Sequence, residues 1–171
     1  MLISRSNSQV GFCAKLNDNT RKLIKEADKH YKSKLEKKFD KAINSSALKN
    51  FGGDDTTISL GIYRSSDGWE STDFYAPVVN TKIQGMNVSV ALPSFGHPNF
   101  SRQESTIVNN LAYYSHYQDS VLRSIQNVDI SDLKQMLAQK YIQQYSQQME
   151  KQATAETYDN LVSEKIKFPQ I

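Results

Sequence analysis

Between residues 56 and 92 the apolar period switches from helical to two, and that switch limits the fold more than any other feature. Ile58, Leu60 and Ile62 alternate with Thr57, Ser59 and Gly61, and Met86, Val88, Val90 and Leu92 alternate again after Gln84-Gly85. Alternation puts every second side chain on one face of a strand. Ser65-Ser66-Asp67-Gly68 is a turn signal, and residues 69–76 (WESTDFYA) read as a returning strand that Pro77 interrupts. Three or four short antiparallel strands follow, apolar on one face. So small a sheet is not stable bare and needs a helix packed on that face.

The flanking segments supply helices. From Thr20 to Ile43 the apolar positions are Ile24, Ala27, Tyr31, Leu35, Phe39 and Ala42, at spacings of 3, 4, 4, 4 and 3. On an α-helix they fall within an arc of about 120°. This amphipathic helix, capped by Asn19 or Thr20 and stopped in Lys49-Asn50-Phe51-Gly52-Gly53, is the expected cover of the sheet. Residues 93–100 (PSFGHPNF) form a loop, and Ser101-Arg102-Gln103-Glu104 matches a capping box. A helix is predicted from there to about Val128, with Gln118 interrupting its apolar seam. Asp129 or Ser131 caps a third helix to about Gln152, followed by a break near Ala153-Thr154-Ala155 and a short final helix ended by Pro169. The fold class is α+β. Residues 1–128 form the body (polar arm 1–18, basic helix 20–43, sheet 56–92, helix 101–128), and residues 129–171 form a helical extension.

The third helix has an unusual pattern. Leu133, Leu137, Tyr141, Tyr145, Met149 and Ala153 are spaced by four, and Gln135, Gln139, Gln143 and Gln147 keep the same spacing on another face. Each step of four turns the stripe by about 40° around a 3.6-residue helix, so the stripe winds and cannot stay on one flat core. One reading packs the early half on the body and the later half on another molecule, with Tyr141, Tyr145, Met149, Tyr158 and Leu161 as interface residues. The other is that Gln, a good helix former, fills a solvated face.

Length and composition close off several classes. The 171 residues suit one domain with an appendage and suffice for a core without metals or disulfides. Cys13 is the one cysteine, so no disulfide forms within the chain. No apolar run approaches the roughly 20 residues that span a bilayer. The first 17 residues lack the apolar stretch of a secretory signal, so the sequons at Asn44, Asn87 and Asn99 carry no expectation of glycosylation. The expected location is the cytoplasm, or a particle assembled there.

Catalytic chemistry is thinly represented. His30, His97 and His116 lie in three different elements, no His-x₃-His or Cys-x₂-Cys spacing occurs, and neither metal nor cofactor is expected. Gly52-Gly53-Asp54-Asp55 contains the Gly-Asp-Asp string of polymerase sites, but a helix precedes it, and it reads as a helix stop and polar loop. Nucleophile elbow, zinc-protease and phosphate-loop motifs are absent. No catalytic residue is assigned. His97, between Gly96 and Pro98, is the one centre on which a fold-assembled enzyme site is conceivable.

Charge is uneven. Residues 20–43 hold nine Lys and Arg against four Asp and Glu, a net of +5, while the whole chain is +3 and the remainder therefore −2. Lys22, Lys25, Lys29 and Lys32 fall within an arc of about 80° on one helix face. They form either a phosphate-binding row or a solvated face whose lysine stems cover apolar surface. Tyr113, Tyr114 and Tyr117 crowd one helix, as core edge, protein interface or base-stacking surface. The leading expectation is a non-enzymatic assembly or interaction subunit, with a protein partner or self-association. Its compact, Asn/Gln/Ser/Tyr-rich composition extends that expectation to a structural component of a viral or phage particle. A nucleic-acid-binding accessory protein using the lysine row is the first alternative, and a small enzyme centred near His97 the second.

Overall fold

The computed structural model describes residues 14–65, 72–93 and 103–165, without the side chains of residues 63–65, 72–74 and 157–165. Most of the N-terminal arm and the His97 loop therefore lie outside the described residues.

The chain is α+β. A four-stranded sheet has the order β1 (Lys15–Leu16), β2 (Thr57–Ser65), β3 (Thr72–Ile83), β4 (Met86–Ala91). β2, β3 and β4 form the antiparallel meander the alternation predicts, with Leu60 opposite Pro77 and Val79 opposite Val90. The β3–β4 turn is Gln84-Gly85, both at positive φ (49° and 83°), the twist that suits a two-residue hairpin. Two corrections concern the sheet. It is mixed rather than antiparallel, because β1 pairs parallel to β2 and brings Ala14 and Leu16 into the core from what reads in sequence as a polar arm. Pro77 does not interrupt β3. Its carbonyl accepts from Leu92 N (2.8 Å), so its missing N–H faces the end of β4, where the ladder stops.

The basic helix is two helices, α1 (Asp18–Tyr31) and α2 (Leu35–Asn44). Lys32 ends α1 in the left-handed region (φ 51°). The Asp28 carboxylate then accepts from Leu35 N (2.7 Å), Glu36 N (3.0 Å) and Ser33 Oγ, which caps α2 from the preceding helix. The apolar spacing survives this break: Ile24, Ala27, Leu35, Phe39 and Ala42 are all buried, and Tyr31 is exposed. Asn17, not Asn19 or Thr20, caps α1 by accepting from Asn19 N and Thr20 N. Arg21 ties the pair, donating to Glu36 Oε1 and Asp40 Oδ1, each at 2.8 Å. The bond to Asp40 is the main reason its guanidinium is held above its ordinary pKa. A short 3₁₀ turn, Ala47–Asn50, leads to Gly52 at φ 83°, where an added Cβ would lie 2.0 Å from Thr56 Oγ1.

The predicted helix 101–128 is likewise divided, into α3 (Glu104–Tyr113) and α4 (Ser115–Gln126). Ser101 lies outside the described residues, and Glu104 opens α3 instead of closing a capping box. Its carboxylate accepts from the buried Thr20 hydroxyl (2.8 Å) and so joins α3 to α1. Gln118, which reads as a flaw in the seam, is buried at the α3–α4 break. Its Nε2 donates to Leu111 O (3.3 Å), a carbonyl in the last turn of α3, and its Oε1 accepts from Lys38 Nζ of α2.

The last element, α5 (Ile130–Lys165), is one helix of 36 residues with no break at 153–155. Asp129 caps it by accepting from Ser131 N at 2.7 Å. At 1.5 Å per residue it is about 54 Å long, more than a small domain's core can cover. Helices α3, α4 and α5 rest on β2, β3 and β4 respectively, while α1 packs on α3 and α2 reaches β1. Cover of the sheet, expected from the N-terminal helix, thus comes largely from the C-terminal half. All of them share one core with Phe39, Leu48, Ile58, Val79, Val88, Leu111 and Ile125. The α5 root belongs to that core, so the expected boundary at residue 129 falls inside the packed body.

Candidate functional site

Helix α5 divides into two stretches with opposite surroundings. Leu133 and Leu137 are buried against the body. Tyr141 is half-buried, and its hydroxyl donates to Gln84 Oε1 (2.6 Å) at the β3–β4 turn, the last hydrogen bond described between α5 and the body. From Ile142 to Glu156 every residue except Gln144 is exposed. Ile142 is 61% exposed, Tyr145 48% and Met149 47%, large apolar groups that a monomer's own core leaves in water.

The winding stripe explains why. Taking Leu133 as facing the body, nine residues at about 100° each put Ile142 on the opposite side, about 180° away. Tyr145 and Met149 stand at about 120° and 160° on the same scale, and Ala138 at about 140°. Ala138, Ile142, Tyr145 and Met149 therefore share a stripe at spacings of 4, 3 and 4, the seam spacing of paired helices. Tyr141 and Tyr145 stack, with ring centroids 6.1 Å apart. Beside the stripe a groove runs between α5 and the hairpin end of the sheet, walled by Phe51, Ile83, Leu137, Tyr141 and Ile142, with Lys134 on its rim. Spacing in sequence singled out Tyr141, Tyr145 and Met149. It missed Ile142 and Ala138, which the spacing-of-four pattern hides. Tyr158 and Leu161 lie on the helix backbone, and their side chains lie outside the described residues.

A second surface is aromatic. At the end of α1 and the α3–α4 junction, Tyr31 lies 6.0 Å from Tyr113, Tyr113 lies 4.8 Å from Tyr114, and Tyr114 lies 5.8 Å from Tyr117, each close to edge-on. His30 adjoins Tyr31 at 4.6 Å and His116 adjoins Tyr117 at 3.9 Å. Sequence placed these tyrosines on one helix; the fold adds Tyr31 and both histidines. Lys22, Lys25, Lys29 and Lys32 are all exposed. The row is less regular than the single-helix reading implies: Lys32 sits at the left-handed end of α1, and Lys25 Nζ is 3.6 Å from Glu36.

Chemical centres are sparse. A cleft of about 620 Å³ lies where α4 turns into α5, lined by His116, Ser120, Arg123, Asp129 and Asp132. Among the described residues no hydrogen bond joins His116 to a carboxylate, and no three His, Cys, Asp or Glu side chains converge as metal ligands. Asp54 and Asp55 are exposed loop residues, Asp55 3.6 Å from Lys82. Among the described residues no helix is long and apolar enough to cross a membrane. His97 lies outside the described residues.

Comparison with known proteins gives no match: no family model fits the chain, and no curated protein or solved structure is similar to it.

Proposed function

We propose that this protein is a non-enzymatic assembly or interaction subunit, and that the outer stretch of α5 is the surface by which it joins a partner. One observation carries the reading. A helix anchored by Leu133 and Leu137 continues past its body with Ile142, Tyr145 and Met149 together on the side turned away from that anchor. Burying such side chains in a partner removes apolar area from water at roughly 25 cal/mol per Å². Tyr adds contact area with only two rotatable bonds to fix, which favours interfaces. A component of a viral or phage particle is the biological setting this chemistry and composition suit.

The test is a triple variant, Ile142→Ser, Tyr145→Ser and Met149→Ser. It is expected to lose the complex, self-made or mixed, that the parent chain forms in light scattering and pull-down. Its helicity is expected to stay unchanged. Equal complex formation by parent and variant would overturn the reading.

The aromatic surface favours a second reading, a nucleic-acid-binding accessory role. Tyr31 and Tyr113 are exposed rings in edge contact near the end of α1, a stretch that also carries the exposed Lys29 and Lys32, and stacking with phosphate contact is how single strands are held without sequence preference. Retention on a single-stranded DNA column that falls steeply with salt, and falls again when Lys22, Lys25, Lys29 and Lys32 become Gln, supports it. Unchanged retention removes it.

A further inference from the structure

We infer that the partner of α5 is a second copy of this chain, paired antiparallel about a two-fold axis near residues 143–144, with each α5 lying in the other's groove. The inference rests on the reading of α5 as an assembly surface and goes further by fixing occupant, direction and register.

The seam itself argues for a copy. Ala138, Ile142, Tyr145 and Met149 form a stripe only four positions long. Run antiparallel, small meets large: Ala138 lies against Met149 of the partner subunit, and Ile142 against Tyr145 of the partner subunit. By symmetry each contact occurs twice, so the stripe is its own complement, as a closed two-fold interface requires. Its middle is free of charge, residues 141–149 holding none.

Charge sets the direction. Lys134 and Glu156 lie on the same side of the helix as the seam, within about 50° of its centre, one before it and one after. Antiparallel pairing brings Lys134 within one helical turn of the partner's Glu156, at both ends. Parallel pairing sets Glu156 against the partner's Glu156 and aligns the two helix dipoles unfavourably.

The groove sets the fit. In the antiparallel register, the half of the partner's helix beyond Met149 runs alongside residues 131–138. There the groove is walled by Phe51, Ile83 and Leu137, and the bond from Tyr141 to Gln84 holds its floor. The groove adjoins the stripe and shares Ala138 and Ile142 with it.

Cysteine pairs read the geometry in a Cys13→Ser background. Positions 138 and 149 of one chain are about 16 Å apart along the helix, too far for a disulfide within it. Ala138→Cys with Met149→Cys is therefore expected to give covalent dimers on mild oxidation, while Met149→Cys alone gives few. Lys134→Glu and Glu156→Lys are each expected to raise the dimer dissociation constant about three- to tenfold, as two exposed ion pairs become repulsive. Combining them is expected to restore it. Efficient linking through Met149→Cys alone means a parallel pair and overturns the inference. A chain that sediments as a monomer at all concentrations also overturns it. In that case the assembly reading survives if the triple α5 variant loses a different protein that the parent captures, and falls with it if nothing is lost.

Discussion

Replacing Asp28 by Ala tests why the basic segment folds as two helices. The Asp28 carboxylate accepts from the first backbone N–H groups of α2, Leu35 N at 2.7 Å and Glu36 N at 3.0 Å, and from the Ser33 hydroxyl. Lys34, the residue in the capping position of α2, makes no side-chain cap bond. Asp28 is thus the only described side chain that satisfies that helix end. Losing a cap costs about 0.5–2 kcal/mol, charged acceptors sit at the upper end of such values, and a carboxylate at the positive end of a helix contributes about 0.3–1 kcal/mol more. The sum is about 2–3 kcal/mol. For a chain of this size each kcal/mol moves the midpoint by about 2–4 °C, so Asp28→Ala is expected to melt about 4–12 °C lower by circular dichroism. Asp28→Asn keeps one acceptor oxygen and should recover about half of the loss. A melting point for Asp28→Ala within about 1 °C of the parent would refute this account of the corner.

Three further outcomes follow from the same geometry. Lys32 holds φ 51° at the end of α1, so Lys32→Gly should stabilise by about 0.5–1 kcal/mol in urea titration, since glycine adopts that conformation without strain. Gln118→Ala should cost about 1–3 kcal/mol by the same titration, because it leaves Leu111 O and the Lys38 ammonium without their bonds at the α3–α4 break. Burial holds the Tyr75 phenol above its ordinary pKa, and the bond from Asn110 opposes this only in part. As pH rises past about 10 the unfolded chain loses that proton first, so stability is full below this range and falls as pH climbs through the folded value. Tyr75→Phe should make the decline between about pH 9 and 11 shallower, measured as urea midpoint against pH; an identical slope would rule out Tyr75 as a contributor.

The α+β class, the β2–β4 meander and the buried stripe of residues 24–42 were legible in sequence because each is written in periodicity, which burial alone dictates. What escaped depends on side chains that bond across elements. Nothing near Tyr31 marks a helix end as strongly as Gly or Pro would, and the break there is made by Asp28 reaching forward to α2. Gln118 looks like a polar intruder until α3 ends at Tyr113 and leaves the Leu111 carbonyl to be satisfied. The parallel β1 is two residues long, too short for a period to register. The aromatic surface joins Tyr31 to Tyr113, 82 positions later, and only tertiary packing relates them.

The α5 site lies between these cases, and that is what makes it informative. A winding stripe in sequence says that one side of a helix cannot serve one core throughout, but not where the change of side occurs. The structure dates the change to the turn containing Tyr141, where the last described bond to the body is made and the first large apolar residue of the outward stripe, Ile142, follows directly. Had α5 broken at residues 153–155 as composition suggests, its outer part could fold back and shield that stripe. Continuity of the helix to Lys165 removes this option for the described residues, because an unbroken helix cannot bring its own later turns onto its earlier ones. The exposed apolar side chains of the outer stretch are therefore a consequence of helix length.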